Sequence, residues 1–193
     1  MIQFITQSIK DSIALKEQLL GSSSDLMTLQ RVGSVIAEAF ERGGKLLLAG
    51  NGGSASDAQH IAAEFVGRFV AVRRALPAVA LTTDTSILTA VGNDFGFDTI
   101  FERQVEALGC GGDIFIGIST SGNSANVVKA LQRAKDRGLV TVGLLGGDGG
   151  ACLELCDYSI VAKTKEAARA QEVHILAGHI LCGVAEKHIV GNE

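Results

Sequence analysis

From Lys45 onward the chain alternates short apolar runs with helical stretches, and this alternation restricts the fold more than any other feature. The runs are Leu46 to Gly50, Ala78 to Leu81, Asp113 to Ser119, Thr141 to Leu145 and Tyr158 to Ala162, each ended by small or polar residues. Repeated units of this kind wind into a parallel sheet with helices on both faces. The expectation is an α/β fold with a parallel five-stranded sheet flanked by helices. Ahead of it, Ile2, Ile5, Ile9, Ile13 and Leu20, then Leu26, Leu29, Val32, Ile36 and Phe40, recur at helical spacing around a Gly21-Ser-Ser-Ser break. These predict an N-terminal extension of two amphipathic helices. Ala167 to Val190 reads as one long final helix. Neither an internal repeat nor a long linker is visible, so residues 1–193 are expected to form a single domain.

Composition removes several classes of function. A formal net charge of −4, with Lys and Arg scattered along the chain, is the wrong distribution for displacing counterions from nucleic acid. Met1 to Lys10 lacks the basic segment and apolar run of a signal peptide, and no stretch is expected to span a bilayer. A soluble, cytoplasmic protein is expected. Cys110, Cys152, Cys156 and Cys182 show no Cys-x-x-Cys spacing and are read as buried, reduced thiols. The 24 glycines cluster after apolar runs, as tight turns between strands and helices require.

In such sheets ligands sit beyond the carboxyl ends of the strands, where loops feed helix N-termini. The loop after Ile118 reads Ser119-Thr120-Ser121-Gly122-Asn123-Ser124 and precedes a helix from Ala125 to Arg137. Hydroxyls, a flexible glycine and the free N–H groups of a helix start form an anion site, with phosphate as its natural ligand. The bland alternative is that Ser124 only caps the helix and the other hydroxyls satisfy the turn. The loop after Ala49, Gly50-Asn51-Gly52-Gly53-Ser54-Ala55, formally matches G-x-G-x-x-A. A dinucleotide fold also needs an acid at the end of the next strand, and the first one, Asp84, lies too far along.

His60 and Glu64 fall one turn apart on one face of the helix opened by that loop, where they suit a metal or a shared proton. Gln171, Glu172, His174 and His179 fall on the last helix. Helical geometry alone aligns His179 with Glu172 better than with Gln171, so periodicity leaves the functional pair open.

Four runs together resemble a known family: Gly50 to Phe69, Val91 to Phe97, Gly117 to Asn126, and Gln171-Glu172-x-His174 followed by His179. Their order and spacing resemble the phosphoheptose isomerases, which have the sugar-isomerase (SIS) fold, a flavodoxin-like three-layer sandwich. The resemblance implies conversion of sedoheptulose 7-phosphate to D-glycero-D-manno-heptose 7-phosphate through an enediol, the first step of heptose biosynthesis. It implies that Asn51, Gly52, Gly53, Asn93 and Asp94 hold the sugar and that Ser119, Thr120, Ser121 and Ser124 hold the phosphate. Glu64 and His179 are implied as catalytic, with Glu64 and Gln171 also touching substrate. One zinc ion per subunit is implied at His60, Glu64, Gln171 and His179. A homotetramer with active sites at subunit interfaces is implied too, residues 1–43 contributing to assembly. Ala168 stands where relatives carry an acid, so no gating role is carried over to 167–170. The rival within the same fold is a non-catalytic protein that binds the replication initiator DnaA. Such proteins lack the counterparts of Glu64 and His179, both present here.

Overall fold

The structure, a computed structural model, describes residues 1–192. Two helices, α1 (Ile2–Gly21) and α2 (Ser23–Glu41), precede β1 (Leu46–Gly50) and α3 (Gly53–Val66). There follow β2 (Ala78–Ala80), α4 (Thr85–Phe95), a 3-10 turn (Phe97–Thr99) and α5 (Glu102–Leu108). The chain continues through β3 (Ile114–Ser119), α6 (Ala125–Asp136), β4 (Val140–Gly146) and α7 (Gly150–Leu153). It closes with β5 (Tyr158–Ala162) and α8 (Ala167–Asn192).

The five strands are all parallel, in the order β2-β1-β3-β4-β5. Both faces of β1 and β3 are covered, which is why they read as unbroken apolar runs. Alternate residues feed two cores. Leu46, Leu48, Ile114 and Ile116 pack with Ile36, Phe40, Ile61 and Phe65 beneath α2, α3 and α8. Leu47 and Phe115 pack with Val105, Val127 and Leu131 beneath α5 and α6. The strand expected from Asp113 begins one residue later. The Asp113 carboxylate instead accepts the backbone N–H groups of Lys45 (2.9 Å) and Cys110 (2.8 Å) and pairs with Lys45 Nζ at 2.6 Å.

Ser22 caps α2, its hydroxyl accepting from Asp25 N, and Asp84 caps α4 by accepting from Ile87 N at 2.9 Å. Asp84 is therefore a helix cap. Helix α1 buries only Leu19. Full burial of a Leu or Ile contributes roughly 1.5–3 kcal/mol, and α1 forgoes it at Ile2, Phe4, Ile5, Ile9 and Ile13, all exposed. Two expectations need correcting. Cys110 is exposed, whereas Cys152 and Cys182 are buried and Cys156 is half-buried; all four are free thiols. Helix α8 is long and apolar enough to cross a membrane by length and composition, which the sequence reading did not anticipate. It packs instead against α2, α3 and the sheet, with half of its most apolar window buried inside the fold.

His174 fastens α8 to the sheet. It is fully buried, and its Nε2–H donates to Leu145 O at 2.9 Å, while Nδ1 has no partner among the described residues. Burial lowers its pKa from 6.5, although the bond to Leu145 works the other way. The unfolded chain thus takes up this proton first as pH falls. Stability from neutral His174 is complete above the unfolded pKa and is lost progressively as pH drops below about 6.5. The melting temperature of the wild type should therefore fall more steeply between pH 7.5 and 5 than that of His174→Gln; identical slopes would exclude His174 as the titrating group.

Candidate active site

The strand order reverses direction between β1 and β3, the position where doubly wound sheets open a crevice for ligands. The two loops singled out in the sequence leave the carboxyl ends of these two strands. Ser119, at the end of β3, is buried, and its hydroxyl lies 3.0 Å from that of Ser124. Ser124 occupies the N-cap of α6, yet its side chain makes no cap bond. The capping explanation of this serine therefore fails, and its hydroxyl points toward Ser119 beside the open start of a helix. Ser121 Oγ accepts the Asn123 N–H at 3.1 Å.

The loop is held from behind by a turn the sequence reading did not single out. Gly122 has φ +67°, and a Cβ there would collide with the Gly149 carbonyl. Cys152 N donates to Gly122 O (2.8 Å) and Ala151 N to Asn123 Oδ1 (2.9 Å). Beyond Thr120 and Ser121 lies a cleft of 820 Å³ that also exposes Asp148, Lys163, Thr164 and Lys165. Two lysines thus line the cleft next to a loop whose own sequence contains no basic residue.

Asn51 and Asn126 exchange amide hydrogen bonds of 2.8 and 2.9 Å, joining the first loop to the helix of the second. Each amide keeps one N–H and one carbonyl lone pair for a ligand. At Gly53 the Gln171 amide lies where a Cβ would stand, with Cδ and Oε1 each 2.8 Å from that position. A side chain at this position would displace the Gln171 amide from the first loop. Glu172, the better partner of His179 by periodicity, pairs with Arg169 at 3.0 Å instead.

Further along the same helices, His60, Glu64 and His179 converge, their ligand atoms all within 4.8 Å of one another. His60 Nε2 is 2.9 Å from His179 Nε2 and 3.4 Å from Glu64 Oε1. Phe69 stacks on the His179 ring, centroids 5.7 Å apart and planes at 28°. Two imidazole nitrogens and a carboxylate turned toward one point suit a divalent metal such as zinc. The Cys182 thiol is pushed up to about 12, chiefly by burial, with Glu64 adding to the shift, and it is not among the converging ligand atoms. Asn93 and Asp94 make none of these contacts. Both are exposed on α4, and Asn93 Nδ2 donates to Asp94 Oδ1 at 2.7 Å.

The Asn51–Asn126 pair and the approach of Gln171 to Gly53 therefore join the serine loop to α8, the helix that also carries His179 to His60 and Glu64. Residues 10–146 match the SIS domain model. The chain is 51% identical over 193 residues to the phosphoheptose isomerase of Aneurinibacillus thermoaerophilus, covering 100% of this chain and 98% of the relative. The chain belongs to the phosphoheptose isomerase family of SIS domains. Among solved structures, the phosphoheptose isomerase of Neisseria gonorrhoeae superposes with a TM-score of 0.88 at 41% identity, covering 97% of this chain and 100% of that one. That of Francisella tularensis gives 0.91 at 34% identity, covering 96% and 98%.

The site makes a prediction about its hydroxyls. Replacing a charge-assisted hydrogen bond to phosphate costs on the order of 1.5–3 kcal/mol, roughly tenfold or more in affinity. Calorimetry should show Ser121→Ala and Ser124→Ala each weakening a sugar phosphate by that factor while leaving bound metal unaltered. Unchanged affinity in both would reduce the loop to a self-satisfied turn.

Proposed function

We propose that this protein is an aldose-ketose isomerase converting sedoheptulose 7-phosphate to D-glycero-D-manno-heptose 7-phosphate for heptose biosynthesis. The observation that carries the reading is the presence in one domain of both a hydroxyl-lined helix start and a converging His-Glu-His cluster. Identity of about half over the whole length to named phosphoheptose isomerases supports it. A phosphate held at one end by Ser119, Thr120, Ser121 and Ser124 leaves the carbonyl end of an extended sugar to reach the cluster. Asn51, Gly52, Gly53 and Gln171 hold the hydroxyls between, with Asn93 and Asp94 of α4 as further sugar ligands. A protein that only bound the replication initiator would have no use for two inward-turned imidazoles beside a carboxylate.

Moving the carbonyl from C2 to C1 needs a proton removed from C1 and one returned to C2. Meanwhile O2 gains a proton and O1 loses one. Glu64 and His179 perform these exchanges across the enediol, one acting at carbon and the other at oxygen, each positioned group contributing about 10²–10⁴-fold. Zinc held by His60, Glu64, Gln171 and His179 would, when bound, polarise the two oxygens. A glutamine carbonyl is a weak ligand and His60 is half exposed, so the ion should exchange readily.

We further assign the active form to a cytoplasmic homotetramer built from one domain per chain, with residues 1–43 packing between subunits. The exposed stripe Ile2, Phe4, Ile5, Ile9 and Ile13 is the ground for this. Light scattering at micromolar concentration should give a tetramer mass, and a sharp monomer peak would refute the assembly.

Steady-state kinetics with zinc-supplemented protein test the chemistry. Glu64→Gln and His179→Ala should each lose at least about 100-fold in kcat and still bind the sugar phosphate. Near-normal turnover in either variant would make that residue structural.

A further inference from the structure

Glu186 lies two turns beyond His179 on α8, and the mechanism above leaves it without a role. Its side chain is only 5% exposed. Burial alone would raise its pKa, but the amides of Ala71, Val70 and Phe69, together with Arg73, outweigh that and hold the carboxyl below the usual glutamate range. The geometry explains why. Oε1 accepts the Phe69 N–H at 3.1 Å, and Oε2 accepts those of Val70 and Ala71 at 2.8 Å each. Arg73 Nε lies 3.2 Å from Oε1, in an ion pair whose cationic side chain is 1% exposed.

Arg73 in turn grips the end of α3. Its Nη2 donates to Glu64 O at 2.9 Å, and its Nη1 to Phe65 O at 2.9 Å, Arg74 O at 3.0 Å and Gly67 O at 3.3 Å. The Glu64, Phe65 and Gly67 carbonyls lie at the end of α3, where a helix leaves its last carbonyls without intrahelical donors. The loop tied to Glu186 also begins with Phe69, whose ring stacks on His179. A single buried carboxylate on α8 therefore reaches both halves of the cluster: His179 through Phe69, and Glu64 through Arg73.

We propose that Glu186 and Arg73 form a clamp that sets the distance between α3 and α8 and so positions Glu64 and His60 against His179 for metal binding. The clamp touches neither substrate nor metal; its residues are positioning residues. The proposal rests on the reading of His60, Glu64 and His179 as metal ligands. It requires a buried ion pair because the cluster draws its groups from two helices that no strand pairing holds in register. A well-packed apolar pair could fill the same volume, but it would leave the amides of Phe69, Val70 and Ala71 without the carboxylate and the Glu64 carbonyl without Arg73.

The test compares wild type with Glu186→Gln, Arg73→Lys and a control, Val105→Ala, whose residue lies on the buried face of α5 in the other core. Zinc affinity is measured by competition with a chromogenic chelator, and ligand geometry by the visible spectrum of the cobalt(II)-loaded proteins. Glu186→Gln should bind zinc about tenfold more weakly or worse, as loss of groups supporting metal ligands does. Its cobalt spectrum should change, and kcat should fall while the KM for the sugar phosphate, set at the serine loop, stays close to wild type. Val105→Ala should melt at a lower temperature with zinc affinity unchanged. Should Glu186→Gln fail to fold, Arg73→Lys supplies the same readout, since lysine keeps the charge without the planar fork that reaches several carbonyls. Wild-type affinity and spectrum in the folded variants would overturn the clamp, as would an equal loss of zinc affinity in Val105→Ala. Wild-type protein that binds no zinc would overturn the metal reading, and the clamp with it.

Discussion

The parallel pairing of β1 with β3 is the constraint on which the rest of the molecule depends. It runs from Leu46 opposite Ile114 to Gly50 opposite Ile118, so the two strands end side by side. From this pair the chain winds outward both ways, to β2 on one side and to β4 and β5 on the other. The helices that follow the two strands consequently go to opposite faces, α3 into one core and α6 into the other. Between their N-termini a crevice is unavoidable. The Asn51–Asn126 amide pair fixes its width with hydrogen bonds that also leave groups free for a polar ligand.

Helix α8 turns that crevice into a site with two ends. It returns across the face that carries α2 and α3, and three polar residues tie it down along its length. Near its start, Gln171 settles on Gly53; one turn later, His174 holds the end of β4; at its far end, Glu186 holds the chain that leaves α3. His179 lies between the last two anchors. A buried polar group is costly when unpaired and orienting when paired, so each anchor restricts where the helix can sit. The apolar contacts alone would leave it free to slide or rotate by small amounts. The donor atoms at the cluster, within 4.8 Å of one another, would not tolerate that freedom.

The strands and the two ligand loops were legible in the sequence because a doubly covered parallel sheet demands continuous apolar runs, and the loops that follow stand out by contrast. Leu46 to Gly50 and Tyr158 to Ala162 appear with the bounds expected. Helices α4 and α5 were less visible, since they are short and no residue of α4 is fully buried to mark a face. The cluster was only half legible. His60 and Glu64 share a helix, and spacing is enough to pair them. The convergence of His179 with them, and the contact of Gln171 with Gly53, depend on how α8 crosses α3, a tertiary relation that helical periodicity cannot express. Periodicity in fact favoured Glu172, which pairs with Arg169 on its own helix. Asn126, Arg73 and Glu186 carried no signal of their own, because each takes its meaning from a partner distant in the chain.

The claim that joins these observations is that one crevice holds phosphate at the serine loop and moves a proton at the cluster. Proton NMR of zinc-supplemented protein incubated with sedoheptulose 7-phosphate in deuterium oxide tests it most directly. The predicted result is the aldoheptose 7-phosphate with deuterium at C2, the carbon that receives the returned proton. Unchanged ketose, under conditions where the protein is folded and binds the sugar phosphate, would contradict it.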